Sequence, residues 1–195
     1  MATIAVYMTI TYTLKPHVDN PAPNFLVTAA VDRKSQMNWR VVYEIAGAID
    51  QISLPMHFSK GVGVRLWEET CFEFFIRRLD GRYIELNFSP SGQWSCFSFK
   101  DYRVGMDDLR LAGEPKMSTR SSMGKLALEV SVDLAKVKVF DRSDLQLQVS
   151  PTVVIKMKDQ RYCYFAIDFP DGAADFHHSD GFRLFEMGVN RSKDF

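Results

Sequence analysis

The sequence predicts an all-β, antiparallel fold, and three observations predict it. Apolar and polar residues alternate with period two along nearly all of the 195 residues. Chain breakers recur at intervals that suit a sandwich or barrel. Aromatic side chains, which favour pleated and half-buried surfaces, make up 13% of the chain, with 15 Phe, 7 Tyr and 3 Trp. Helical windows are few.

Taken in order, Trp39, Val41, Tyr43 and Ile45 alternate with Asn38, Arg40 and Glu44, which sets one strand face in a core and the other toward water. Phe72, Phe74 and Ile76 form the next apolar stripe, and Ile84, Leu86 and Phe88 match it across Asp80-Gly81, a hairpin signal. Leu126, Leu128, Val130 and Val132 alternate with Lys125, Glu129, Ser131 and Asp133. Residues 133–140 are expected to form a turn of helix. Leu145, Leu147, Val149, Val153, Ile155 and Met157 then define a long strand opposed by Gln146, Gln148, Ser150, Thr152, Lys156 and Lys158, with Pro151 marking a bulge or edge. The segment 162–167 is a last strand. Breakers at 20–23, 59–63, 80–81, 89–92, 113–115, 118–124 and 170–172 separate the elements. Neither an internal repeat nor a linker divides the chain, so residues 1–195 are expected to form a single domain.

Charge and cysteine usage narrow the function classes. Lys plus Arg number 24 and Asp plus Glu number 24, so no whole-molecule field attracts a polyanion, and neither nucleic acid nor an anionic membrane is an expected partner. Cys71, Cys96 and Cys163 lie far apart, with no CxxC pair to suggest zinc or a disulfide framework. Apolar residues near the N-terminus alternate with Thr where a signal peptide would show an unbroken apolar run. A cytoplasmic protein is the expectation.

The candidate site lies on the face opposite the core stripe. Parity places Trp67, Glu69, Cys71, Glu73 and Phe75 on one strand of that face, and Tyr83, Glu85 and Asn87 on the next. Carboxylates and an amide beside aromatic planes suit a sugar, because rings stack on the less polar face of a pyranose while Glu and Asn take its hydroxyls. The plain alternative is a solvated sheet face. His177 and His178 follow in a loop as candidate ligand contacts, although neighbours on an extended segment point opposite ways.

The pattern resembles a known family. Trp67 with Glu69-Thr70-Cys71-Phe72-Glu73-Phe74-Phe75, then 85–94, then Phe99-Lys100-Asp101-Tyr102-Arg103 with Gly105-Met106, and finally Asp175-Phe176-His177-His178, are similar to the DOMON-like proteins related to family 9 carbohydrate-binding modules. The similarity runs from about residue 46 to 182, with 66–106 its specific part. The resemblance implies a β-sandwich, immunoglobulin-like or jelly-roll-like, whose concave sheet binds a ligand, and it matches Trp67, Glu73, Glu85 and Asn87 to ligand-face positions.

The expected function is therefore a non-enzymatic binding module for a small saccharide or saccharide-containing metabolite, with Trp67, Glu73, Tyr83, Glu85, Asn87, His177 and His178 at the site. One alternative is a haem-binding relative using Met106, Met157, His177 or His178, since a haem iron needs Met and His, or two His, on opposite sides. A less favoured one is a glycoside-processing enzyme built on Glu73 and Glu85. A third class is protein interaction through an exposed sheet edge. No specific motif marks a cofactor, whether haem or calcium.

Overall fold

A computed structural model describes residues 5–6, 9–20, 22, 24–35, 37–55, 58–140, 146–186 and 188–189. In chain order its strands are β1 (Ala5–Val6), β2 (Thr9–Pro16), β3 (Leu26–Arg33), β4 (Asn38–Ala46), β5 (Gly61–Val62), β6 (Cys71–Arg77), β7 (Tyr83–Phe88) and β8 (Gln93–Phe99). They continue with β9 (Asp107–Asp108), β10 (Lys116–Ser122), β11 (Lys125–Asp133), β12 (Gln146–Lys156), β13 (Tyr162–Ala166), β14 (Arg183–Glu186) and β15 (Gly188–Val189). Among the described residues, 3-10 turns at Ile49–Gln51, Leu66–Glu68 and Ser179–Gly181 complete the elements.

β1 and β15 pair with each other, and the other strands form one sheet whose main path is β10-β11-β4-β3-β2-β13-β12-β6-β7-β8-β5, with β14 on β12 and β9 on β8 beside it. Between β2 and β13 the ladder narrows to two residue pairs, Pro16 with Phe165 and Lys15 with Ala166. The strip curls there, and its two halves close on each other as a back sheet (β10-β11-β4-β3-β2) and a front sheet (β13-β12-β6-β7-β8-β5). The alternating apolar residues meet between them: Trp39 lies 5.7 Å from Phe74 and 5.2 Å from Phe185, and Tyr43 lies 5.2 Å from Phe72, ring centre to ring centre. The outer face of the back sheet is polar, with Arg40 bridging Asp32 at 2.9 Å and Glu129 at 2.8 Å.

The expected hairpin is present with its two apolar stripes on one face, Phe72 opposite Phe88, Phe74 opposite Leu86 and Ile76 opposite Ile84. Gly81 takes φ +94 in its turn, a region that L side chains rarely enter. Pro151 sits neither at an edge nor in a bulge. β12 pairs with β6 on one side, and on the other its Gln146–Val149 half pairs with β14 and its Val153–Lys156 half with β13. Pro151 occupies the gap between these two partners, where a missing N–H leaves no ladder bond unmade.

Two further expectations are corrected. Residues 133–140 make successive turns, Val137 N to Leu134 O and Phe140 N to Val137 O at 2.9 and 3.3 Å, instead of a helical turn. The breaker at 118–124 is mostly strand: β10 runs through Ser122, and Met123-Gly124 alone form the loop to β11. Its Ser and Thr content reads as a loop, but β10 is an edge strand with much of its surface in water, where such residues are tolerated. The long strand is confirmed as β12, except that Leu145 lies outside the described residues.

Candidate functional site

The outer face of the front sheet carries the residues that alternate with its core stripe. Cys71, Glu73 and Phe75 stand on β6, and Tyr83, Glu85 and Asn87 on β7, with Glu73 opposite Asn87 and Phe75 opposite Glu85. The two carboxylates are therefore diagonal neighbours. The next strand extends the surface, for Phe97 lies opposite Glu85 and Phe99 opposite Tyr83, and the Tyr83 and Phe99 rings stack at 4.5 Å.

This face is not a solvated sheet surface. Glu73 retains 4% exposure, Glu85 7% and Asn87 none. Trp67 covers it from one side. It belongs to the 3-10 turn and not to a strand, because Arg65 enters the left-handed region at φ 52 and ends the extended run that parity assumed. Trp67 nevertheless packs on the predicted face, edge-on to Phe97 at 5.9 Å. The loop 168–182 covers the other side, bringing His177 and Phe182 within 5.1 and 6.2 Å of the Phe75 ring.

That loop is held at several points. The His17 Nε2–H donates to the Gly172 carbonyl at 2.9 Å. Asp175 accepts from Arg103 Nη2 at 2.7 Å, from the backbone N–H of His177 at 3.0 Å, and from the Tyr102 hydroxyl. Burial acts to raise the Asp175 pKa, but these hydrogen bonds prevail and the carboxyl sits below its ordinary value. At Gly181 an added Cβ would stand 3.2 Å from Ser150 Oγ, so the loop's 3-10 turn lies directly on β12. Ser150, expected toward water, is buried beneath it, and Thr152, expected toward water too, is buried beside Glu73.

Beneath the loop runs a connected polar chain. The Arg103 backbone N–H donates to the Tyr83 hydroxyl at 3.0 Å, which donates to His177 Nδ1 at 2.7 Å, leaving Nε2 to face Glu85 Oε2 at 3.6 Å. Asn87 Nδ2 donates to Glu85 Oε1 at 2.7 Å, and the Thr152 hydroxyl donates to Glu73 Oε2 at 3.4 Å. Burial, with the positive charge of Arg103 second, lowers His177 to about 4 and keeps its imidazole neutral near pH 7. Burial and the neighbouring Glu85 charge push the Glu73 carboxyl well above the usual carboxylate range, and burial likewise raises Glu85. Burial raises Tyr83 to about 12.

What stays open is a cleft of about 700 Å³. Trp67, Phe99, Tyr164 and Phe176 supply its aromatic surface, and Glu73, Glu85, Arg103 and His177 its principal polar groups. His17, Asp19 and Asn20, which follow β2, and Ala173 and Ala174 of the loop also line it. Of the seven candidate residues, Trp67, Glu73, Glu85 and His177 face this space. Tyr83 and Asn87 lie beneath, holding His177 and Glu85. His178 is not among the lining residues: its Nδ1 accepts from the Asp180 N–H and caps the short turn. Arg103 was missed because it is held in a tight turn at φ 53, which leaves no pattern in the sequence. Phe99 carried a signal, since extending the hairpin register by one strand places it opposite Tyr83.

For haem, Met106 lines the cleft, but Met157 is buried in the core between the sheets. Both His177 ring nitrogens already face partners. Among the described residues no group of three or more His, Cys, Asp or Glu could hold a metal ion, and no helix is long and apolar enough to cross a membrane.

No protein-family model matches the chain, and no curated protein matches it significantly. Solved structures do share the fold. A Bacteroides uniformis protein with a provisional carbohydrate-binding assignment superposes with TM-score 0.65 at 13% identity, over 92% of this chain and 85% of that one. A family 9 carbohydrate-binding module from Caldicellulosiruptor kristjanssonii, in complex with cellotriose, gives 0.54 at 8% identity over 83% and 74%. A family 9 module from the same organism, in complex with glucose, gives 0.51 at 9% over 93% and 87%. The chain is thus a β-sandwich of the kind found in carbohydrate-binding modules.

Proposed function

We propose that the protein is a non-catalytic saccharide-binding module and that the cleft over β6, β7 and β8 is its site. The observation that carries this reading is the composition of one wall: Trp67 and Phe99 stand beside Glu73 and Glu85 in a space of about 700 Å³, pairing ring faces for a pyranose with acceptors for its hydroxyls. The fold shared with modules crystallised with cellotriose and glucose supports it. Asn87 and Tyr83 act by fixing the side chains that touch ligand, since the rotamers of Glu85 and His177 depend on them.

Hydrolysis fits the geometry less well. A glycosidase sets its acid and its base or nucleophile on either side of the scissile bond, whereas Glu73 and Glu85 rise from adjacent strands of a single wall. The test is a glycan-binding measurement on the wild-type chain, Trp67→Ala and Glu85→Gln side by side. The expected outcome is binding by the wild type that falls by tenfold or more in each variant, roughly the loss of one stacking or charge-assisted contact, with unchanged circular dichroism. Unaltered binding by both variants would place the site elsewhere, and turnover of the bound glycan would make the protein an enzyme.

A further inference from the structure

Acidic groups outnumber basic ones around the cleft, and the excess specifies the ligand. Four acids face or flank it, namely Asp19, Glu73, Glu85 and Asp175, against Arg103 and the imidazoles of His17 and His177. Arg103 spends its guanidinium on Asp175 at 2.7 Å. His17 donates its Nε2–H to a backbone carbonyl, and His177 accepts a hydrogen bond from the Tyr83 hydroxyl at one nitrogen and faces Glu85 only at 3.6 Å with the other. Glu73 is more than nine-tenths buried, and among the described residues its carboxylate has a single hydrogen bond, the 3.4 Å contact from Thr152. Two diagonal carboxyl groups thus line a largely buried wall, and among the described residues the neutral His177 imidazole is the one basic group within ion-pairing distance of either. Leaving such groups unpaired is costly.

A hydroxyl-bearing ligand would answer the hydrogen bonding but leave the two acids unable to ionise together, and a phosphorylated or acidic sugar would bring a further anion against them. An ammonium group answers both, since it carries three donors and a full positive charge. The neighbouring rings of Trp67, Phe99 and Phe176 add a surface that favours a cation. We propose that the cleft takes an amino sugar with a free ammonium group, which docks against Glu73 and Glu85. This rests on the saccharide reading above and adds the ligand's charge to it.

Three β-1,4-linked trimers that differ at C2 separate the possibilities: cellotriose (hydroxyl), the N-acetylglucosamine trimer (acetamide) and the glucosamine trimer (ammonium). Calorimetric titration of the full chain at neutral pH is expected to give the glucosamine trimer at least a roughly tenfold lower Kd than either other trimer, the difference between a charge-assisted and a neutral hydrogen bond. Glu73→Gln is expected to abolish that preference, so that the glucosamine trimer binds no more tightly than cellotriose. Cellotriose bound as tightly as the glucosamine trimer overturns this inference and leaves the saccharide reading intact. Binding of none of the three overturns both. If Glu73→Gln fails to fold, the wild-type comparison still decides, read with the same titration in high salt, where the ammonium preference is expected to shrink.

Discussion

Burial, more than any named contact, sets the chemistry of the individual residues in the cleft. His177 is held near 4 by desolvation and the charge of Arg103, against an ordinary value of about 6.5. Between those values the unfolded chain binds a proton that the folded chain does not, so this residue makes stability fall as pH drops from about 6.5 to 4. Glu73 has the opposite sign. Its carboxyl is raised, the folded chain keeps a proton that the unfolded chain loses above about pH 4.5, and stability falls as pH rises from there. His177→Gln is therefore expected to flatten the acid limb of a melting-temperature profile between pH 6.5 and 4. Glu73→Gln is expected to melt progressively higher than wild type as pH increases above 4.5. Parallel profiles for wild type and both variants would mean that neither group is perturbed by folding.

At the scale of elements, the site depends on two covers that secondary structure alone does not provide. The β6–β7 hairpin was legible because an exact alternation fixes both the core stripe and its opposite face, and Asp80-Gly81 marks the turn between them. Extending that register to β8 would also have revealed Phe99. Trp67 reached the correct face by a route that alternation does not describe, through a left-handed Arg65 and a 3-10 turn. The burial of Glu73 and Glu85 was not legible at all: it comes from a loop nearly a hundred residues away in sequence, and period-two patterning says nothing about what folds over a sheet. The same loop explains why Ser150, polar by pattern, is buried. Its clamp can be tested directly. Asp175→Ala removes the acceptor shared by Tyr102, Arg103 and the His177 amide, at an expected cost of about 1–3 kcal/mol. Hydrogen exchange should accelerate at the amides of 173–178 while the β11 and β4 amides keep their protection. Unchanged exchange in the loop would show that His17 and the Gly181–Ser150 contact hold it without Asp175.

For the whole molecule, the curl at the β2–β13 junction has a functional consequence. By folding one strip of strands into two facing sheets, it consumes the regular apolar stripe in a core shared by both and frees the outer face of the front sheet to be covered selectively. The back sheet pairs its acids Asp32 and Glu129 with Arg40, whereas the front sheet buries Glu73 and Glu85 beside aromatic rings without a guanidinium or ammonium partner among the described residues. Overall neutrality, 24 basic against 24 acidic residues, therefore conceals an acidic wall at one place, and that wall is the expected point of ligand contact. The most direct measurement is a chemical-shift map of the isotope-labelled chain titrated with the glucosamine trimer. Saturable shifts are expected at the Trp67 indole N–H, the Arg103 and His177 amides and the segment 173–177, with the back-sheet amides of β4 and β11 unmoved. Saturable shifts centred on the Arg40 and Glu129 face, or none under any of the three trimers, would contradict a saccharide site in the cleft.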